Sequence, residues 1–146
     1  MGRKLYCWIA AGALCCLLGA PAWAEIEPVE AVASYTAAWD EPDETKRRAL
    51  LERAWTDDGI YTDPTAYVEG REALIKHIAG FLNQMGEARL ERSSGVEVHH
   101  NVLRFEWRIV TPDKTIVATG FDYGELAEDG RLQRIVGFFG PFPELE

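Results

Sequence analysis

The chain has 146 residues, and its 24 acidic against 15 basic residues give it a net charge of −9 at pH 7. Such an acidic surface repels phosphate backbones and anionic lipid headgroups. Residues 46–48 form the only basic cluster that could offset this repulsion, so we expect no nucleic acid partner. Cys7, Cys15 and Cys16 are the only cysteines, so the chain beyond them can form neither a disulfide nor a thiolate metal site.

The first 24 residues have the organisation of a cleavable signal peptide. Arg3 and Lys4 form a positive segment, residues 8–18 form an apolar one, and the closing Ala-Trp-Ala is the pattern that signal peptidase accepts. The apolar run is well short of the roughly 20 residues that span a bilayer, which argues against an uncleaved anchor. We predict cleavage after Ala24 and a periplasmic or secreted product, residues 25–146, whose net charge is −11 because both basic residues leave with the signal.

The 122 residues that follow are enough for one domain with a hydrophobic core, but hardly for two. Apolar residues at three-to-four spacing predict that the first half of this domain is mainly helical. A turn signal at residues 57–59 precedes its single predicted strand. The predicted elements are helices over residues 28–39 and 44–55, a short strand over residues 60–63 that Pro64 ends, and a helix over residues 71–85.

From Ala88 onward the pattern becomes that of a sheet. Apolar and mostly charged residues alternate over residues 103–110, which is the period-two signature of a strand with one buried face. The charged residues Arg104, Glu106 and Arg108 therefore predict a solvated or dimer-facing outer surface. Tight turns separate this strand from two more, over residues 115–124 and 131–139. Helices followed by a meander indicate the α+β class.

This order of elements resembles that of the nuclear transport factor 2-like superfamily. Residues 55–64, WTDDGIYTDP, and residues 70–72, GRE, are similar to the stretch that SnoaL-like polyketide cyclases and ketosteroid isomerases carry there. Residues 121–123 with residues 128–132 resemble their penultimate hairpin. The resemblance covers nearly all of residues 25–146 and implies a cone-shaped fold of three N-terminal helices packed on a strongly bent antiparallel or mixed sheet. Enzymes, ligand binders and assembly modules share this scaffold, so it does not fix the function.

The resemblance to ketosteroid isomerases implies three catalytic residues. Asp63 matches their carboxylate base, while Tyr35 and Asp122 match the tyrosine and the protonated aspartic acid that hold the enolate oxygen. A proton next to a carbonyl is weakly acidic, so its removal needs a positioned base and donors aimed at the oxygen that gains charge. Neither a metal nor an organic cofactor is implied. Burial would keep Asp122 neutral, and the expected apolar neighbours are Ile116, Ala118 and Phe138.

Each of these three residues also suits a structural role. Asp63 precedes a proline and suits a turn cap, and Tyr35 suits a core tyrosine whose hydroxyl is satisfied. Asp122 alternates with Phe121 and Tyr123, and the pattern leaves open which face of that strand is inside.

Two features depart from the ketosteroid isomerase pattern. Trp55 and Ile78 occupy places where those enzymes carry further tyrosines, which implies a thinner hydrogen-bond network around Tyr35. The link between the first two helices, residues 40–45, is longer than in those enzymes, which implies a reshaped pocket mouth. Both departures put a steroid substrate in doubt.

The histidines and the C-terminal apolar segment give weaker signals. His99 and His100 are adjacent, so on a strand they point to opposite faces and form no ligand pair. His99 shares a face with the apolar residues of the next strand, which fits either a pocket-rim residue or a structural core or edge histidine. His77 receives no role. Residues 137–143 are apolar and rich in turn formers, which fits either closure of the cone or a homodimer contact.

Two functions from different classes remain open. The first is a cofactor-independent isomerase, cyclase or lyase that moves a proton next to the carbonyl of a small apolar compound. The second is a non-catalytic periplasmic module that uses the same pocket to bind a small molecule, or the same fold to dimerise. The expected partners are a small apolar carbonyl-type ligand and a second copy of the chain through the sheet, with no nucleic acid and, after signal cleavage, no membrane.

Overall fold

The structure is a computed structural model that describes residues 25–146. The predicted signal peptide lies outside the described residues. No helix between residues 25 and 146 is both long and apolar enough to cross a membrane. The elements in chain order are α1 (Pro28–Ala38), α2 (Glu44–Ala54), β1 (Trp55–Asp63), β2 (Ala66–Glu69), α3 (Arg71–Met85), β3 (Arg89–Arg92), β4 (Glu97–His99), β5 (Val102–Val110), β6 (Ile116–Leu126) and β7 (Leu132–Phe139).

The predicted α+β class is confirmed, and the three helices agree with their predicted bounds to within one residue. The predicted turn at residues 57–59 is wrong, because β1 begins at Trp55 and runs through this stretch. The stretch forms an irregularity within the strand, since the register of β1 against β7 shifts between Trp55 and Ile60. Gly59 fits there because a side chain at this position would overlap the indole of Trp55. Three short strands, β2, β3 and β4, were not predicted individually.

The seven strands form one open, mixed sheet. Their order is β2-β1-β7-β6-β5-β3, and β4 pairs with β5 beside this path. The pairs are antiparallel except β1 with β7, which run parallel. The hydrophobic core lies where side chains of all three helices meet one face of the sheet. The parallel pair matters for the site, because it places β1 beside β7, whose other neighbour is β6.

The predicted alternation of β5 is confirmed. The apolar residues at positions 103, 105, 107 and 109 are at most 8% exposed. On the other face, Arg104 forms an ion pair with Glu97 and Arg108 forms one with Glu91. The charged side of β5 is therefore a partly solvated surface whose charges pair with the neighbouring strands.

The inward face of β6 carries little bulk around Asp122, because Gly120 and Gly124 flank this residue. A Cβ at Gly120 would overlap the carbonyl oxygen of Phe138 and the indole of Trp107. The glycine thus leaves the space in which the large Trp107 ring of β5 lies across β6 and reaches Asp122.

We expect Gly120→Ala to lower the free energy of unfolding by about 1–3 kcal/mol, because the added methyl overpacks the contact between β5 and β6. Urea denaturation followed by tryptophan fluorescence measures the change. The matched control is Gly80→Ala on α3, where no neighbouring atom lies within 4 Å of the new Cβ. That variant should gain about 0.5–1 kcal/mol from the better helix former. Equal effects of the two substitutions would contradict the packing argument.

The link between α1 and α2 spans residues 39–43, since residues 44 and 45 of the predicted link belong to α2, and a buried arginine of α2 holds it. Arg47 is 3% exposed, and its Nη1 donates to the carbonyl oxygen of Glu41 at 2.7 Å. Asp40 forms an ion pair of 2.9 Å with Arg89 of β3. These contacts tie the link to the body of the domain, so its extra length is ordered.

Candidate functional site

A cavity of about 700 Å³ lies between the helices and the sheet. This volume is within the range of small-molecule sites, roughly 300–1,000 Å³. All three predicted site residues, Tyr35, Asp63 and Asp122, line it, whereas residues 40–45 do not. The link was predicted to reshape the mouth of the cavity, but none of its residues contributes to the cavity wall. The wall is rich in aromatic rings, which include those of Trp39, Tyr61, Phe81, Phe105 and Trp107.

Asp122 points into the cavity, which resolves the open question about its strand. It is 5% exposed, and its Oδ1 accepts a hydrogen bond of 2.9 Å from Nε1 of Trp107. Burial raises the pKa of the Asp122 carboxyl to about 7. The hydrogen bond from Trp107 works against this rise, and the nearby negative charge of Asp63 adds to it. A carboxyl of this kind is largely neutral below pH 7 and has a proton to donate.

Two of the neighbours expected to bury Asp122 were predicted wrongly. Ile116 and Phe138 are 51% and 47% exposed. Phe138 lies on the outer face of the sheet, where it stacks on Phe121 at a centroid distance of 4.9 Å. Ile116 lies beyond a register shift between β5 and β6, which breaks the inward alternation before it reaches this residue. Ala118 does line the cavity, as expected.

Tyr35 is both a core residue and a cavity residue. It is 2% exposed, and its ring stacks on Trp55 at 5.6 Å with an interplanar angle of 17°. Burial, followed by the negative charge of Asp122, raises the pKa of the Tyr35 hydroxyl well above its ordinary value. Trp55 supports the ring by stacking, and its buried Nε1 makes no hydrogen bond within residues 25–146. Tyr35 is therefore held rigidly in its protonated, hydrogen-donating form.

Asp63 uses its two carboxylate oxygens differently. Oδ1 accepts hydrogen bonds of 2.7 Å from both the backbone N–H and the hydroxyl of Thr65, which caps the turn between β1 and β2. Oδ2 accepts a hydrogen bond of 2.6 Å from the Tyr61 hydroxyl. Partial burial raises the pKa of Asp63, but the hydrogen bonds from Tyr61, Thr65 and the Ala66 backbone outweigh it and hold that pKa below its ordinary value. The turn-cap geometry is present, and it occupies only one oxygen of the carboxylate.

Gly137 lies between the two aspartates on β7. It is the register partner of Asp122, and a Cβ at this position would lie 3.1 Å from Oδ1 of Asp122 and 3.5 Å from Cβ of Asp63. A Cβ here would therefore crowd Oδ1 of Asp122 and be in van der Waals contact with Asp63. The glycine therefore lets two carboxyl groups from β1 and β6 share one cavity.

Three cavity residues were missed by the sequence reasoning. Tyr61 lies two residues before Asp63, and this spacing places both on one face of a strand, so the pairing was open to prediction. Trp107 reaches Asp122 only through the register of β5 and β6, for which the sequence carries no direct signal. His77 was given no role, yet it lines the cavity with its ring 5.5 Å from that of Tyr61.

The predictions for His99 and His100 need correction. The rim alternative is wrong, because His99 is exposed on β4 and does not line the cavity. The expected opposite orientation is also wrong, since His100 follows β4 with a φ of 54° and its Nδ1 lies 3.4 Å from that of His99. Within residues 25–146, no group of three or more His, Cys, Asp or Glu residues is placed to hold a metal ion.

Residues 137–143 serve two surfaces. Phe139 lines the cavity with its ring edge-on to Trp107 at 5.6 Å, so this part of the segment closes one end of the cavity. Phe142 is 79% exposed and packs against Phe121 on the outer face. Phe139 therefore fits the prediction that this segment closes the cone, and the exposed Phe142 fits the alternative of a homodimer contact.

Comparison with known proteins places this fold and cavity in a family. The model of the SnoaL-like domain family matches residues 32–135. A provisionally assigned isomerase of the SnoaL-like family from Agrobacterium tumefaciens is 32% identical, with a TM-score of 0.72 over 76% of this chain and 95% of that chain. A search of curated proteins gave no match.

More distant solved structures share the fold alone. A protein of unknown function with a cystatin-like fold from Methylobium petroleophilum is 14% identical, with a TM-score of 0.64 over 82% of this chain and 78% of that one. A provisionally assigned polyketide cyclase from Sinorhizobium meliloti is 16% identical, with a TM-score of 0.57 over 73% of this chain and 92% of that one. The family match over residues 32–135 and the 32% identical neighbour show that the chain belongs to the SnoaL-like domain family, as its sequence motifs indicated.

Proposed function

We propose that this chain is an exported, cofactor-independent isomerase, cyclase or lyase that moves a proton next to the carbonyl of a small apolar compound. The observation that carries the proposal is that Tyr35, Asp63 and Asp122 line one cavity. The pKa of Asp63 is lowered and those of Tyr35 and Asp122 are raised, which favours an ionised base beside two protonated donors. The similarity to a provisionally assigned isomerase supports the reaction class. The pattern of residues 1–24 supports a periplasmic or secreted location.

The proposed roles follow from those protonation states. Asp63 is ionised at neutral pH and takes a proton from the carbon next to the carbonyl of the substrate. The electron pair of that C–H bond moves toward the carbonyl oxygen, which gains negative charge and accepts hydrogen bonds from Tyr35 and neutral Asp122. Return of the proton from Asp63 to another carbon gives the isomer. The aromatic walls exclude water, which strengthens both hydrogen bonds.

The shape of the cavity limits the ligand. A volume of about 700 Å³ with mainly apolar and aromatic walls suits a compact alicyclic or aromatic carbonyl compound. Asp63 and Asp122 lie close together on either side of Gly137, so the proposed carbonyl belongs beside them.

The alternative is a non-catalytic binding or dimerisation module, and one observation favours a contact between two copies. Val117, Phe138 and Phe142 are 56%, 47% and 79% exposed, and the two phenylalanines pack on Phe121 of the same outer face. Such a patch fits a homodimer through the sheet. Analytical ultracentrifugation of residues 25–146 and of the Phe138→Ser variant tests this contact, which a monomeric parent would contradict.

Binding of a naphthol, which mimics an enolate, tests the proposed reaction. Naphthol fluorescence reports whether the bound molecule is neutral or ionised. We expect the purified domain of residues 25–146 to bind it in an ionised or strongly polarised form, and Tyr35→Phe and Asp122→Asn each to weaken binding at least about tenfold. Tyr67→Phe is the control, because Tyr67 is 66% exposed on β2. Binding of neutral naphthol alone would favour the binding module, and no binding would contradict the oxyanion site.

A further inference from the structure

We propose that Tyr61 is a positioning residue for Asp63: its hydroxyl fixes Oδ2 as the atom that accepts the substrate proton and keeps the carboxylate ionised. The inference rests on the proposed function, because it assumes that Asp63 accepts a proton from the substrate. Its geometry rests only on contacts within β1, the turn that follows it, and the rings around them.

The hydrogen bonds of Asp63 single out one oxygen. An ionised carboxylate has about four lone-pair sites, two on each oxygen. The two donors of Thr65, both at 2.7 Å, fill Oδ1. Oδ2 accepts the 2.6 Å hydrogen bond from the Tyr61 hydroxyl and takes no part in the hydrogen bonds from Thr65. Oδ2 is therefore the oxygen that can accept a proton without breaking the turn.

The ring of Tyr61 holds its hydroxyl in place. Tyr61 is 6% exposed, with its ring 5.2 Å from that of Trp39, the residue that follows α1, and 5.5 Å from that of His77 on α3. Because these two rings lie against it, Tyr61 cannot turn away without disturbing the core. Residues distant in sequence thus hold the Tyr61 hydroxyl in position against Oδ2 of Asp63.

Other titratable groups share the cavity, but they do not hydrogen-bond to Asp63. Tyr35 faces it from α1, Asp122 from β6, and Lys76 and His77 from α3. The hydroxyl of Tyr61 is the donor to Oδ2. Its removal would take away this hydrogen bond to the ionised carboxylate while the burial of Asp63 stays the same, so the pKa of Asp63 would rise.

The test is the titration of Asp63 in the domain of residues 25–146 and its Tyr61→Phe variant, which keeps the ring and loses only the hydroxyl. Carbon-13 NMR of labelled aspartate side chains follows the carboxyl group, and Asp63→Asn identifies its signal. We expect the Asp63 midpoint to move to higher pH in Tyr61→Phe. It should stay in place in Tyr67→Phe, because that exposed hydroxyl lies 3.5 Å from Glu69 on β2. An unchanged midpoint in Tyr61→Phe would overturn the inference.

A second variant keeps the test valid if Tyr61→Phe does not fold. Fluorotyrosine at position 61 alone preserves the shape of the ring and makes the hydroxyl a stronger donor. The Asp63 midpoint should then move to lower pH, and a fixed midpoint would overturn the inference.

This experiment separates the inference from the proposed function. The titration needs no substrate, whereas naphthol binding reports on Tyr35 and Asp122. A shifted Asp63 midpoint in Tyr61→Phe combined with no naphthol binding would keep Tyr61 as the residue that orients Asp63 and reject the enolate site. Naphthol binding with an unshifted midpoint would reject the role of Tyr61 and keep the enolate site.

Discussion

Asp63→Asn should slow proton exchange next to the carbonyl of a bound cyclic ketone by about 10²–10⁴-fold, the usual contribution of a positioned general base. An amide oxygen still accepts the hydrogen bonds of Thr65, so the turn is kept. Tyr35 and Asp122 are still present, so naphthol should still bind, and the loss of the Asp63 charge makes Asp122 a stronger acid. Deuterium incorporation into a panel of cyclic ketones in heavy water, followed by NMR, measures the rate.

Asp113→Asn is the matched control for this variant. Asp113 caps the turn between β5 and β6 through its Oδ1, which accepts hydrogen bonds from the Thr111 hydroxyl and from the backbone N–H of Thr115. The Asp113→Asn substitution therefore removes one negative charge from a similar turn outside the cavity. Equal exchange rates in the parent and in both variants would contradict the role of Asp63 as base. A loss of stability alone in Asp63→Asn would assign the residue to the turn.

The second large effect is a loss of stability on going from acidic to neutral pH. Because the pKa of Asp122 rises from 3.8 to about 7 on folding, the folded state binds more protons than the unfolded state between these two values. The unfolded state ionises first as pH rises, so the stabilisation is complete below about pH 4 and is lost by about pH 7. A shift of about three pKa units corresponds to about 4 kcal/mol.

Urea denaturation at intervals from pH 4.5 to pH 7.5 measures this loss, and Asp122→Asn serves as the reference. The amide keeps an acceptor for Trp107 but does not titrate. We expect the parent to lose several kcal/mol relative to the variant across this range. The two proteins differ only at residue 122, so the difference between them isolates its contribution. Parallel pH profiles of parent and variant would show that Asp122 ionises normally, and would remove the neutral donor from the proposed mechanism.

The elements that the sequence predicts well are those with a strong local period. The apolar stripe of α3 predicts both of its ends, and the alternation along β5 predicts its buried face. The short strands β2, β3 and β4 have three or four residues each, too few to show a period. The stretch at residues 57–59 was predicted as a turn because Asp-Asp-Gly is common in turns, whereas it forms an irregularity within β1, between the β7 pairings of Trp55 and Ile60.

The site shows the same division between local and tertiary information. The resemblance to ketosteroid isomerases led to Tyr35, Asp63 and Asp122, and the structure places all three around one cavity. The residues that set the chemistry of these groups come from register and packing. Trp107 reaches Asp122 through the pairing of β5 with β6, and Gly137 reaches both aspartates because β7 runs between their strands.

The position of Gly137 has a consequence for the timing of the proposed reaction. Because a glycine separates the two acids, the negative charge of Asp63 helps to raise the pKa of Asp122. When Asp63 takes a proton from the substrate, that charge disappears and Asp122 becomes a stronger acid. The strengthening coincides with the appearance of negative charge on the substrate oxygen, the moment at which a stronger donor lowers the barrier most. The base thus regulates the donor through their mutual electrostatic repulsion, with no movement of the backbone.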